Sequence, residues 1–224
     1  MKSHPWRLLA AALLVLNFAP ALAANAPRVR VTTSMGQFVI ELNPERAPLT
    51  VANFLRYVRE GQYTDTLFHR VVGNFVIQGG GHAASDMRLK SSHDPIFNES
   101  GNGLQNKRGA VGLARSDAPH SGNAQFYVDI ADNPDLDPVA TRWGYAVFGR
   151  VVEGMDVVDR IGAVATGAVG PFKSDAPIKP IIIQKVEEIE ISAAAPAATP
   201  PVAAPAPAPT SATPARAVPS PPSH

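Results

Sequence analysis

The chain has 224 residues, 45% of them hydrophobic, with 20 Lys and Arg against 19 Asp and Glu for a formal charge of +1. This allows one sizeable domain with appendages, and the near-neutral balance argues against a protein that lives on nucleic-acid phosphates. The absence of cysteine excludes a disulfide scaffold, a Cys-ligated zinc or iron–sulfur site, a thiol nucleophile and an S-lipid anchor.

The first segment carries Lys2 and Arg7, then an apolar run from Leu8 to Leu16, then Ala21-Leu22-Ala23. This order predicts a secretory signal peptide over 1–23, because the apolar stretch is shorter than the roughly 20 residues of a spanning helix and a small-x-small cleavage pattern follows it. Loss of Lys2 and Arg7 with that leader leaves 18 basic residues against 19 acids, a charge near −1. Folded structure is expected within 24–191. Val29, Val31 and Thr33 alternate with Arg28, Arg30 and Thr32; after Met35-Gly36, Phe38, Ile40 and Leu42 alternate with Gln37, Val39 and Glu41. Two strands joined by a tight hairpin fit that period.

The period then changes. Val51, Phe54, Leu55 and Val58 fall at i, i+3, i+4 and i+7, with Pro48 suited to a first turn and Gly61 to a C-terminal cap, which predicts a one-faced helix. Further strands are expected at 67–72, 75–78, 109–114, 125–130, 145–151 and 181–191, and a second short helix at 155–161 before Gly162. Two helices so far apart among strands do not suit a doubly wound sheet; a closed antiparallel barrel with a helix over each end accounts for them. From Ser192 to His224 the chain is almost entirely Ala, Pro, Ser and Thr. Such a composition cannot offset its ordering entropy, so 192–224 is expected to be a disordered, partly polyproline-like tail acting as a spacer.

Several familiar motifs fail on their surroundings. Gly101-Asn102-Gly103 lacks the third glycine and the strand–turn–helix frame of a dinucleotide site, and Gln78-Gly79-Gly80-Gly81 lacks the Lys of a phosphate loop. Asp117, His120 and Ser121 are hydrolytic by type but sit in no nucleophile elbow. His69, His82, His93 and Asp94 match no short metal-ligand spacing, so no metal site and no cofactor is expected. Asn98-Glu99-Ser100 is a formal glycosylation acceptor. What stands out is the run from Phe68 through His69, Arg70, Phe75 and Gln78 to Gly80. In a regular strand His69 and Arg70 project to opposite faces, one toward a core and one away.

That run resembles the signature of the cyclophilins, the cyclosporin-binding class of peptidyl-prolyl cis/trans isomerases. In the family's order follow Asn98-Glu99, Gly103-Leu104 to Arg108-Gly109, Gly112-Leu113-Ala114-Arg115, Ala124-Gln125-Phe126-Tyr127-Val128, Leu136-Asp137 and Gly144-Tyr145 to Arg150-Val151. The similarity runs from about Arg28 to Ile191, and its compact form resembles bacterial periplasmic members. It implies a mainly β fold, a closed eight-stranded antiparallel barrel capped by two α-helices. It further implies a cofactor-free isomerase of proline-containing polypeptides, periplasmic and assisting folding; a monomer is the default expectation, and the charge balance and the leader pattern predict no nucleic-acid partner and no membrane anchor once the leader is cleaved.

Carried over by position, the resemblance makes Arg70 the catalytic arginine and Gln78 its neighbour. Phe75, Val76, Tyr127 and Leu136 line a proline pocket, Ala114 and Arg115 offer backbone to an extended peptide, Gln125 adds a polar contact, and Tyr145 stands where many eukaryotic relatives have histidine. Asp135 stands where many eukaryotic members have tryptophan, which implies weakened cyclosporin binding. Gly73-Asn74 replaces the family's common Pro-Gly turn.

Overall fold

The structure, a computed structural model, describes residues 26–189. The leader expected over 1–23 and the tail expected over 192–224 lie outside those residues. Among the described residues no helix is long and apolar enough to cross a membrane.

Eight strands close into a barrel: β1 (Arg28–Thr33), β2 (Gly36–Leu42), β3 (Thr66–Val72), β4 (Val76–Ala83), β5 (Ala110–Leu113), β6 (Phe126–Asp129), β7 (Val147–Glu153) and β10 (Ile182–Ile189). Around the barrel the order is β1-β10-β3-β4-β6-β5-β7-β2, all neighbours antiparallel. Closure leaves no sheet edge to template aggregation. The alternation seen in sequence becomes an inside and an outside: Val29, Val31, Phe38, Ile40, Val71, Ile77, Val111, Phe126, Val128 and Ile183 share the interior core.

Helix α1 (Pro48–Arg59) leaves the far end of β2, whereas α2 (Met155–Gly162) sits at the β1–β2 turn, where the side chain of Val157 approaches within 3.1 Å of a Cβ built on Gly36. The helices therefore cap opposite ends. Phe54 of α1 reaches into the barrel, its ring centroid 5.2 Å from Tyr63, 5.6 Å from Phe126 and 5.1 Å from Phe148. Ala47 cannot cap α1 with a side chain. Glu99, 49 residues beyond Thr50, does so instead: its carboxylate accepts from Leu49 N at 3.1 Å, Thr50 N at 2.8 Å and the Thr50 hydroxyl at 2.7 Å.

Three features depart from the sequence reading. A hairpin of β8 (Thr166–Val169) and β9 (Phe172–Pro177), outside the barrel, was not expected, because Gly170-Pro171 and its short, largely exposed strands carry no apolar alternation. β5 and β6 are shorter than expected at both ends, while β4 and β7 start later and run on to Ala83 and Glu153, which leaves Phe75, Ala114, Gln125 and Tyr145 just outside the strands. For Tyr145 the cause is visible: its amide donates to Leu136 O, 2.9 Å, instead of to a neighbouring strand. Finally, His69 and Arg70 do not divide between core and surface. The register of β3 on β4 slips between Phe68 and Arg70, and a bulge breaks the two-residue period. Phe68 and Val71 point inward, while His69 packs outside the barrel core against His82 and Phe172, ring centroids 4.5 and 5.5 Å away.

Candidate active site

The outer faces of β3, β4, β6 and β5 form one surface, on which Arg70 pairs with Gln78, Gln78 with Tyr127, and Tyr127 with Gly112. Arg70 Nη1 donates to Gln78 Oε1 at 3.4 Å, and Gln78 Nε2 donates to Gln125 Oε1 at 3.1 Å. The guanidinium carbon lies 5.8 Å from the centroid of the Phe75 ring. Among the described residues Arg70 has no ion-pair partner. A half-buried permanent cation is thus held by an amide and a ring face rather than neutralised.

Glycines make the surface possible. A Cβ on Gly81 would meet the Gln125 side chain, and one on Gly112 would coincide with the Tyr127 phenol; both long side chains lie flat because their neighbours have none. The φ of 58° that the β3–β4 turn requires is taken by Asn74, a residue type that tolerates it.

Tyr127 is 3% exposed, and its hydroxyl donates to Asn106 Oδ1 at 2.5 Å. Burial pushes its phenol well above the usual range. It therefore keeps its hydroxyl for the scaffold, with its ring almost wholly covered. Tyr145 meets that ring edge-on, centroids 6.0 Å apart, and the Arg115 guanidinium stacks over Tyr145 at 4.3 Å. Arg115 is further tied to Gly144 O, Trp143 O and Ser116 O. The Ala114 amide already donates to Gln125 O, 2.9 Å, so it is not free for a peptide. Leu136 ends a 3-10 turn (Pro134–Leu136) and stays half-buried. Arg70, Phe75, Gln78 and Gln125 are thus linked side by side, as are Tyr127, Tyr145 and Arg115, whereas Val76 and Tyr127 are themselves almost wholly buried, 2% and 3% exposed. A cleft of about 590 Å³, lined by Leu42, Pro44, Leu104, Val147 and Arg150 among others, contains none of them.

The residues behind this patch were not singled out from sequence. Asn106 donates through its amide and its side chain to Asp137 Oδ1, each at 2.8 Å, and Asn133 N donates to Asn106 O at 2.7 Å. Asn133 Nδ2 reaches both Phe75 O, 3.0 Å, and Asp129 Oδ1, 2.7 Å. The only sequence signal was the density of Asn and Asp around 129–137, which also describes an ordinary solvated loop.

The competing motifs do not assemble. Ser121 Oγ donates to Ala118 O at 2.6 Å, while His120 Nδ1 accepts from Asn98 N and stacks on Phe97, so no Ser–His pair forms. Asn98 is 5% exposed and its amide is spent on Pro119 O and Gly144 O, which leaves no place for a glycan. His93 pairs with Glu60 and stacks on Tyr57, away from His69 and His82.

Comparison with known proteins agrees with this geometry. Residues 28–188 match the family model for cyclophilin type peptidyl-prolyl cis-trans isomerases. Peptidyl-prolyl cis-trans isomerase A of Dickeya dadantii is 45% identical over 188 residues, spanning 82% of this chain and 98% of its own. Peptidyl-prolyl cis-trans isomerase B of Escherichia coli is 48% identical over 157 residues, 69% of this chain and 94% of its own. A Cryptosporidium parvum cyclophilin-type isomerase, also solved in the presence of the dipeptide Ala-Pro, superposes with a TM-score of 0.63 at 26% identity, covering 73% of this chain and 99% of that one. The fold is that of a cyclophilin-like closed barrel. The chain belongs to the cyclophilin-type peptidyl-prolyl cis-trans isomerase family and is an isomerase of X-Pro peptide bonds.

Proposed function

We propose that Arg70 drives this isomerisation by stabilising the twisted amide in the groove walled by Phe75, Val76, Tyr127 and Leu136. Resonance sets a barrier of about 18 to 20 kcal/mol to rotation, and uncatalysed X-Pro exchange takes on the order of tens of seconds. A turnover of about 10³ per second requires roughly 6 kcal/mol of differential stabilisation. As the bond twists, the prolyl nitrogen recovers its lone pair and becomes an acceptor. A guanidinium then gains a charge-assisted bond absent from the planar state, about 1.5 to 3 kcal/mol. The apolar walls favour the less dipolar twisted amide, and holding the proline ring while the preceding peptide turns contributes the rest.

The observation that carries this reading is the Arg70 guanidinium on the groove face, which among the described residues meets no carboxylate and bonds to Gln78. A carboxylate there would hold the charge in the ground state; an amide leaves it for the substrate. The Ala-Pro dipeptide present with the structural neighbour supports proline-containing peptides as substrate. The leader pattern of 1–23 supports export, and with it a periplasmic role in the folding of exported polypeptides.

The test is cis/trans exchange of a short Ala-Pro peptide by the mature protein and by Arg70→Ala. Loss of one charge-assisted bond predicts a fall of about 10- to 150-fold in kcat, with peptide binding retained. Equal rates for the two proteins would defeat the mechanism. Because a guanidinium is a permanent charge, kcat should be flat across neutral pH.

A further inference from the structure

Asp129 lies on the outer face of β6, two residues beyond Tyr127 and paired with Val76. It is wholly buried, 0% exposed. Its Oδ1 accepts from Asn133, and its Oδ2 has no hydrogen-bond partner among the described residues. A buried carboxylate needs more than one donor to be tolerated as an anion. The position is also mechanically central. Asn133 spans from Asp129 to the Phe75 carbonyl, and its own carbonyl accepts from Leu136 N at 3.0 Å at the head of the 3-10 turn. Its amide donates to Asn106, the partner of the Tyr127 hydroxyl. Three walls of the proline pocket, Phe75, Leu136 and Tyr127, therefore meet at one asparagine that Asp129 holds.

We propose that Asp129 is a positioning residue for the proline pocket, and that loss of its proton loosens the Asn133 junction and weakens substrate binding without altering the chemical step. This rests on the isomerase reading of the groove. Apart from the Asn133 amide, which favours the anion, the groups facing Asp129 oppose its ionisation or leave it unaided. Asp137 and Asp132 approach from the loop beyond β6, and the Tyr127 phenol lies on β6 itself. Of the two cations in the loop before β5, Arg108 is bound to Asp159 and to Ile130 O, and Lys107 lines the separate cleft with Leu104 and Arg150. Burial, against the single Asn133 bond and reinforced by the two aspartates, pushes the Asp129 carboxyl up to about 7. Below that pH a neutral acid still accepts from Asn133 through Oδ1. Above it, the charge on Oδ2 is met most readily by water, which enters if the 3-10 turn moves aside.

The experiment measures kcat and KM for an Ala-Pro peptide at about pH 6 and about pH 8, with the carbon resonance of the Asp129 carboxyl followed over the same range. For the wild type, KM should rise roughly three- to tenfold while kcat stays within about twofold, and the resonance should titrate in step with KM. Asp129→Asn keeps the acceptor and removes the charge, so its KM should stay at the low-pH wild-type value throughout. Asp129→Ala removes the acceptor and should show a high KM at both pH values; should it fail to fold, the asparagine variant still decides. A wild-type KM that is flat with pH, or the same slope in Asp129→Asn, would overturn the inference while leaving the isomerase reading intact. No exchange by the wild type at either pH would remove the isomerase reading first and this inference with it.

Discussion

Gly112→Ala tests the construction of the groove floor. The added methyl would occupy the space of the Tyr127 hydroxyl and ring, with even the Cε1 atom only 2.7 Å away. The obstacle is a ring in a closed pocket, 3% exposed and anchored to Asn106, so it cannot swing aside as a surface side chain would. Forcing it out costs overpacking of about 1 to 3 kcal/mol, and the lost phenol–amide bond strands a buried Asn106 oxygen at about 1 to 3 kcal/mol. Together this is about 2 to 6 kcal/mol, with a midpoint of about 4. At roughly 2 to 4 °C per kcal/mol for a domain of this size, Tm should fall by about 10 °C, and exchange of an Ala-Pro peptide should fall with it. Gly73→Ala is the matched control, since its Cβ would meet nothing within 4 Å, and it should stay within about 0.5 kcal/mol. Tyr127→Phe removes only the hydroxyl. Because it relieves the nearest contact, the double variant should be less damaged than the sum of its parts, by about 1 kcal/mol. Thermal denaturation of the four proteins decides the matter. A Gly112→Ala protein melting within about 2 °C of wild type would show that Tyr127 does not lie across Gly112.

Removing the remote cap, Glu99→Ala, leaves the Leu49 and Thr50 amides without an acceptor, so urea denaturation should register a loss of about 1 to 2 kcal/mol. Burial lowers the His69 imidazole to about 4 from 6.5; the unfolded chain takes the extra proton, so this contribution is complete above about pH 6.5 and is lost as pH falls toward 4, by up to about 3 kcal/mol. Asp129 works in the opposite sense, its contribution complete below the unfolded carboxylate range and lost as pH rises through about 7. The two slopes partly cancel in the wild type. His69→Leu should therefore leave stability falling from about pH 4 to about pH 7, which denaturant midpoints across that range would reveal. An unchanged profile would contradict a neutral, buried His69.

The chain's local chemistry was enough to find most of its architecture. The two-residue period through Val29–Thr33 and Phe38–Leu42, the change to i, i+3, i+4, i+7 at Val51–Val58, and the Pro48 and Gly61 boundaries are properties of neighbouring residues, so they can be read before any folding. The ordered motifs from Phe68 to Val151 likewise named the family. What folding alone decided depends on pairs far apart in sequence. The bulge that carries His69 and Arg70 off the strict alternation arises from the pairing of β3 with β4. The cap of α1 is a carboxylate 49 residues away, and the space for the Tyr127 ring is a missing side chain on another strand. Nor does the pattern Asp129–Asn133 in sequence say that the pair stands behind the proline pocket, sealed from water. Burial and partner count are properties of the closed barrel, and they alone turn a commonplace Asp and Asn into the junction that holds Phe75, Leu136 and Tyr127 in place.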